Sequence, residues 1–561
     1  MGAWRGKTCE NNQKKMNIHE GKGLFLTNMA ALALGVALFA GAFPNPFFEN
    51  GAPFLAWIAY VPVFWIISRT TLVGSVLWGA MYGYAAYGLF NYWLSAFHPL
   101  AGVIACVIYL VYLAILFILL KAAVRLFPKR GYILQWLLWV CFEYLRTQGF
   151  LGYSYGIIGY SQWQILPIIQ IADIFGVWGV SALVVFPAAW LVAALTPPSA
   201  QAALAAENAA PYKKTWFKPD FIPLCVWALC LAGTLVYGFA ARKDYASEEN
   251  VRIALIQHNT DPWLGGVLEY RMNFEKLTRL SDEALRENPD LVVWSETAFV
   301  PRVFWHQTYR DDEASWLLVK DLLDYLARQT TPFVIGNDDG RREPDKNPDA
   351  DEKYRVDYNA ALLFEKGAIV QQYRKNHLVP FTEYFPYKKQ LPFFYKLLQE
   401  ADTHFWEKGT ERTVFETNGL KFSTPICFED TFGYLSRDFV KNGAELIVNL
   451  TNDAWSKSLS AQMQHLGMAV FRAVETRRSL VRATASGQTC AIDPNGAILA
   501  MAEPFTEAQL TVAAPVLRET SLYVKYGDFL PFVCMAAVVV FIILGLIMRR
   551  AGKESCVKKR S

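Results

Sequence analysis

KFSTPICFED, residues 421–430, runs an apolar strand into a cysteine and then into two acids. Two earlier stretches end the same way. DLVVWSE (290–296) closes on Glu296, and QQYRK (371–375) closes on Lys375. Strand ends are where layered α/β domains present reactive groups, because the sheet holds the backbone still while the loops beyond it shape a pocket. A carboxylate such as Glu296 can take a thiol proton, and an ammonium such as Lys375 can stabilise the oxyanion formed when Cys427 attacks a carbonyl. By spacing alone each residue has an ordinary reading too. Cys427 would then be a small buried strand residue, and the two charges a surface ion pair.

Outward from these junctions, residues 251–256, 290–295, 332–336, 421–426 and 445–450 read as short apolar strands. A hairpin is expected over 359–365 and 367–374, and two more strands over 481–485 and 489–492 around the turn at 493–496. Helices are expected over 270–287, 314–329 and 461–479. The alternation predicts a layered α/β domain spanning about 243–527. The charged stretch 338–353 reads as a solvated loop, and the Ala- and Pro-rich 196–212 as a linker between spans.

The rest of the chain has a different character. Of the 561 residues 53% are hydrophobic and 19% charged, an apolar excess concentrated in 24–241 and 528–548. Eight membrane spans are expected: roughly 24–43, 52–68, 71–95, 101–126, 131–147, 171–195, 222–241 and 528–548. Lys and Arg gather in the tails 1–23 and 549–561 and in the loops on the same side, among them Arg69, Lys121, Arg125, Lys129, Arg130, Lys213, Lys214 and Lys218. That bias predicts cytoplasmic tails and a 243–527 domain on the opposite side. A net charge of +4 gives no reason to expect nucleic acid. Asn91, His98, Glu143, Arg146 and Asp173 lie in or beside spans, and suit either a lipid headgroup cavity or helix pairing. Of nine cysteines, only Cys427 and Cys490 fall in the polar region, and no CxxC pair suggests a metal. Cys490 is expected to be a buried strand residue. Residues 384–406, aromatic with interleaved lysines, read as an interfacial lid beginning at Tyr384, and FVPRVFW (299–305) reads the same way.

The strings WSETAFVP (294–301), YRKNHLVPFTEYFP (373–386) and PICFED (425–430) resemble the Glu, Lys and Cys blocks of the nitrilase superfamily. More specifically, they are similar to the apolipoprotein N-acyltransferase family. IQHNTDPW (256–263), NLTNDAWS (449–456), QHLGMAVFRAVETRRSLVRATASG (464–487) and GIIGYSQ (156–162) extend the resemblance over nearly the whole chain. It implies an eight-span helical membrane domain carrying an αββα nitrilase-like domain in the periplasm. It also implies Glu296 as general base, Lys375 as oxyanion support, Cys427 as nucleophile and Glu383 as a second essential acid. Glu429 and Phe428 would flank the nucleophile, and Trp263 would line a lipid pocket. The implied reaction moves a fatty acyl group from a phospholipid, phosphatidylethanolamine by resemblance, to the N-terminal amine of a diacylated apolipoprotein. No cofactor or metal is implied, and a monomer in the bacterial inner membrane is expected. The chain departs from the family at Phe428, where a tyrosine is common, and at Thr382, Ser456 and His258. Two rivals remain at this level: a membrane-anchored carbon–nitrogen hydrolase, and a silent lipoprotein-binding paralogue.

Overall fold

The structure is a computed structural model and describes residues 23–97, 99–196, 220–245, 247–261, 264–343, 355–400 and 405–558. The chain divides into two compact units. One comprises Met1–Phe142, Ala182–Cys230 and Phe532–Ser561; the other comprises Glu143–Ser181 and Leu231–Pro531.

Among the described residues five helices are long and apolar enough to cross a membrane: Gly23–Ala42, Leu100–Leu126, Val177–Leu195, Ile222–Ala241 and Phe529–Arg550. The three other expected spans, and the start of the 171–195 one, have a different form. The 52–68 stretch is two short helices, Pro53–Ala59 and Val61–Arg69, meeting at Tyr60 just before Pro62. The 71–95 stretch is helical over Leu72–Phe90, and its glycines and tyrosines dilute its apolarity. The 131–147 stretch is helical for only 15 residues, Gly131–Leu145, about 22 Å at 1.5 Å per residue. The 171–195 stretch breaks at Gly176, whose φ of +64° ends a short helix before Val177–Leu195 begins.

Within the first unit, helices Leu72–Phe90 and Pro99–Leu126 pack closely. Gly83 makes this possible, because a Cβ there would strike the Tyr109 carbonyl. One turn away Tyr87 and Tyr109 stack with ring centres 3.5 Å apart. Lys121 is buried in the second of these helices, and its ammonium donates to the Ile67 and Ser68 carbonyls at 3.0 and 3.4 Å.

The second unit is built on two six-stranded sheets. One orders β12 (Ala508–Pro515), β1 (Asn250–Gln257), β2 (Leu291–Trp294), β3 (Phe333–Arg342), β4 (Arg355–Glu365) and β5 (Ala368–Arg374). The other orders β11 (Ile498–Met501), β10 (Cys490–Ile492), β9 (Leu480–Thr484), β8 (Leu446–Thr451), β7 (Leu420–Ser423) and β6 (Val414–Thr417). Each has a parallel centre, β1–β2–β3 and β7–β8–β9, with antiparallel flanks. Inward side chains of both sheets share one core, with Ile253, Leu255, Val293 and Val334 from the first and Leu446, Val448, Val481 and Ala491 from the second. The outer face of the first sheet is covered by helices Val267–Leu285 and Glu313–Ala327, whose apolar stripes supply Phe274, Leu277, Leu318 and Leu322. Helix Leu459–Thr476 contacts β9 of the second sheet. The result is an αββα sandwich.

Two boundaries differ from those expected. Residues 338–342 are not loop but the end of β3, because their charges are met: Asp339 pairs with Arg341 at 2.8 Å and Arg374 at 2.7 Å. Residues 344–354 lie outside the described residues. The compact unit that contains the sheets also takes in Glu143–Ser181, a stretch the sequence assigns to spans and short loops.

Candidate active site

The parallel centres of both sheets aim the carboxyl ends of β2, β7 and β8 at one region. Leaving β2, Ser295 and Glu296 cross directly over β3. Gly336 permits that crossing, because a Cβ there would collide with the Ser295 carbonyl and sit 2.7 Å from the Glu296 Cα. Glu296 is buried. Its Oε1 accepts from Asn359 Nδ2 at 2.7 Å and from Lys375 Nζ at 3.1 Å, and its Oε2 accepts from the Asn452 N–H at 3.1 Å.

Lys375 follows β5, held by its own N–H to the Asn359 carbonyl. Its ammonium is fully buried between two carboxylates, Glu296 at 3.1 Å and Glu383 at 2.8 Å. Burial would strip its proton, but Glu296 and Glu383 together overcome that and hold its pKa well above the ordinary lysine value. Glu383 is anchored through Oε2 by the Val379 N–H at 2.8 Å. Burial pushes its pKa up, against the pull of Lys375.

Cys427 opens a short 3₁₀ turn, Cys427–Thr431, at φ +48°, a left-handed conformation unusual for a residue with a Cβ. Such strain held by surrounding structure is a mark of functional sites. The thiol is buried, and burial raises its pKa. Glu296 adds to that rise and Lys375 opposes it, so both act on the sulfur electrostatically.

Glu429, in the turn that Cys427 opens, is a clamp. Oε1 accepts from Tyr373 at 2.8 Å and from the N–H groups of Asn376 and His377 at 2.7 and 2.9 Å; Oε2 accepts from Ile426 at 2.8 Å. One carboxylate thereby joins the Lys375 loop to the Cys427 turn. The Phe428 ring packs against Phe432 at 5.0 Å, His377 at 5.7 Å and Tyr153 at 6.4 Å. Tyr384 lies beside Glu383 in sequence, with the Lys408 ammonium 4.5 Å from its ring centre. Trp263 and His98 lie outside the described residues. Cys490 is a free, buried residue of β10.

The stretch 143–181 supplies a wall that the sequence did not announce. Glu143 accepts from the Ile158 N–H at 3.0 Å, while Arg146 donates to the Tyr153 and Tyr155 carbonyls, so both brace the returning loop. Phe150 meets Phe381, Tyr384, Phe385 and Tyr387 at 5.2–6.3 Å. Asp173 is paired with Arg477 at 2.6 Å and bonded by Tyr237 at 2.7 Å. Asn359 was also invisible in the sequence, since nothing in YNAALLF separates it from a strand's polar edge. The Asn452 N–H lies within NLTNDAWS, a string that did carry the resemblance.

Two families match the chain: carbon-nitrogen hydrolase over residues 252–521, and the apolipoprotein N-acyltransferase N-terminal domain over residues 31–190. The first defines the class, a nitrilase-type enzyme domain, here joined to a helical, apolar N-terminal domain. The chain belongs to the apolipoprotein N-acyltransferase family. It is 45% identical to apolipoprotein N-acyltransferase 1 of Treponema denticola, over 94% of this chain and 98% of that protein. The enzyme of the same name from Treponema pallidum is also 45% identical, over 95% and 98%. Apolipoprotein N-acyltransferase 2 of Treponema denticola is 33% identical, over 72% and 74%.

Proposed function

We propose that the protein transfers a fatty acyl group from a phospholipid to the N-terminal amine of a diacylated apolipoprotein, through a thioester on Cys427. The observation that carries this reading is the buried Lys375 ammonium shared by Glu296 and Glu383 beside the thiol. Glu296 takes the Cys427 proton as the sulfur attacks the donor's ester carbonyl. The oxyanion is met by Lys375. Collapse breaks the C–O bond, Glu296 returns the proton to the departing lysophospholipid oxygen, and the acyl group stays on sulfur. The α-amine of the diacylglyceryl cysteine then attacks the thioester. Glu296 accepts its proton and passes it to the leaving sulfur, which restores the thiol. The covalent detour replaces one hard ester aminolysis by two easier steps. Glu383 orients Lys375, Glu429 holds the nucleophile's turn with Phe428 packed beside it, and Tyr384 and Trp263 would contact the lipid chains.

The membrane assignment follows the same reading. Helices Pro53–Arg69, Leu72–Phe90 and Gly131–Leu145 would join the five longer ones to make eight spans. The Lys and Arg bias of tails and loops supports cytoplasmic termini and a periplasmic catalytic domain in the inner membrane. Phosphatidylethanolamine is the proposed donor and the monomer the proposed working form.

Mass spectrometry of the full chain purified from membranes tests the reading. The expected result is an acyl adduct on Cys427 that disappears as a diacylated lipopeptide is added and becomes triacylated. Hydrolysis of small amides without such an adduct would overturn it in favour of a carbon–nitrogen hydrolase.

A further inference from the structure

We propose that His465 is a positioning residue for the transfer reaction, the keystone of a closed ring of four buried charges that registers the nucleophile's turn against the segment that binds the base. The inference rests on the acyl-transfer reading for the reaction it serves.

His465 lies on helix Leu459–Thr476 with both ring nitrogens against carboxylates: Nε2 to Asp430 Oδ1 at 2.6 Å and Nδ1 to Asp453 Oδ1 at 2.9 Å. Arg482, on β9, takes the other oxygen of each, Asp430 Oδ2 at 2.9 Å and Asp453 Oδ2 at 3.2 Å. All four side chains are buried. An ionised carboxylate only accepts, so bonding both aspartates takes a donor on each ring nitrogen, the imidazolium form, even with Arg482 Nη2 3.3 Å from Nδ1. Two cations then meet two anions and the ring is neutral, the condition under which buried charge is tolerated.

The ring's position gives it a task. Asp430 is in the 3₁₀ turn that Cys427 begins. Asp453 follows Asn452, whose N–H holds Glu296 Oε2 at 3.1 Å. His465 and Arg482 thus tie the segment carrying the sulfur to the segment orienting the proposed base. Gly487 leaves room for this, since a Cβ there would come 2.9 Å from that of Asp453. The ring also screens the thiol. Asp453 disfavours the Cys427 thiolate, and Arg482 is within electrostatic reach of the same sulfur. The other groups facing the ring are Tyr155, whose ring centre is 6.2 Å from that of His465, Arg472 beside Asp430, and Cys490 beside Arg482. Glu296, Lys375 and Glu383 face Cys427 from the first sheet's side. Loss of the imidazolium leaves an uncompensated carboxylate next to the sulfur and frees Asn452 from its register.

The test uses the full chain in detergent and measures alkylation of Cys427 by iodoacetamide from pH 6 to 10 by mass spectrometry. His465→Gln is expected to slow alkylation about tenfold at pH 7.5, moving the profile up by about one pH unit. Pairing it with Asp453→Asn restores neutrality and supplies a matching donor and acceptor, and is expected to bring the profile back. A His465→Gln profile that superimposes on the wild type, or a folded double variant as slow as the single one, overturns the proposal. If neither variant folds, deuterium exchange at the His465 C2 position in the wild-type chain decides. A midpoint near 9, where the two aspartates place this imidazolium against the cost of burial, supports it; a midpoint at or below 6.5 overturns it. Alkylation needs no lipid, so a wild-type chain without an acyl adduct would sink the acyl-transfer reading and leave this measurement intact.

Discussion

Lys375 and Glu383 are 2.8 Å apart, and the second Glu383 oxygen is tied to the Val379 N–H at the same distance. The lysine is therefore held from the backbone of its own loop, not only by Glu296. With Glu383→Gln the ammonium has one carboxylate left and draws Glu296 toward itself, away from the thiol. Single-turnover mass spectrometry is expected to show formation of the Cys427 adduct slowed by about a hundredfold, the scale of losing one preorganised electrostatic partner. A rate within threefold of wild type would refute the assignment.

Glu429 is expected to behave differently, because it acts on folding. Glu429→Ala orphans the Tyr373 hydroxyl and three N–H groups, of Asn376, His377 and Ile426. Buried unsatisfied donors cost about 1–3 kcal/mol each, so a loss of several kcal/mol is expected in thermal unfolding. Tyr373→Phe removes only one of these donors and should cost about 1 kcal/mol. Equal effects from the two substitutions would show that the carboxylate is not the clamp.

The difference between these acids marks how far the sequence could be read. Glu296, Lys375 and Cys427 stand at the ends of apolar runs, and short-range pattern suffices to place them at strand ends. The resemblance sets Glu429 at the flank of Cys427, and a two-residue offset says nothing about which groups it bonds. The 3₁₀ turn, started by a left-handed cysteine, sets it against the N–H groups of Ile426, Asn376 and His377. Asn359 and the Asn452 N–H reach Glu296 across strands far apart in sequence, a relation that no local pattern encodes. The strand β12 was missed because it is partly exposed and alternates weakly. Glu143 and Arg146, at helical i, i+3 spacing, suit a headgroup cavity or a pair, and the spacing does not show that both also bond the backbone of residues 153–158, which brings their loop into the unit of the two sheets.

Acid stability offers a third prediction. His377 is buried, and its burial beside Lys408, Lys375 and Arg412 lowers its pKa to about 3, while burial lowers His258 to about 4. Both are neutral in the folded chain and take a proton on unfolding once the pH is below about 6.5. A folded pKa below the unfolded one means the stabilisation is present above 6.5 and lost as pH falls toward the folded value. Each group is expected to cost on the order of 1 kcal/mol per pH unit between 6.5 and 4. The fall in unfolding temperature across this range should flatten in His377→Gln. An unchanged slope would contradict the neutral assignment.

Phe150 gives a fourth. It carries the 143–181 stretch onto the residues flanking Glu383, touching Phe381, Tyr384, Phe385 and Tyr387. Each aromatic pair adds about 0.5–1.5 kcal/mol beyond the area it buries. Phe150→Ala should therefore loosen residues 378–398 without unfolding the two sheets. Amide exchange is expected to rise in that segment and stay constant in β1, β2 and β8. Exchange that rises equally in the strands would mean the cluster supports the whole unit.

Gly336 sharpens the claim that backbone crossing sets the base. Its Cα faces the peptide that joins Ser295 to Glu296, and any Cβ must push that peptide away. The β3 strand pairs with β2 and β4 on either side, so it has little freedom to retreat. The displacement therefore falls on Glu296, which is held by hydrogen bonds from Asn359, Lys375 and Asn452 at 2.7, 3.1 and 3.1 Å. A shift of about 1 Å in a reacting group costs on the order of a hundredfold in rate. Gly336→Ala should thus lower acyl transfer by that factor while the chain still folds. The adduct on Cys427 should form slowly and should also discharge slowly to the lipopeptide, because Glu296, as the proposed base, would handle the proton in both halves. A variant slow in only one half-reaction would show that the proposed base does not serve both.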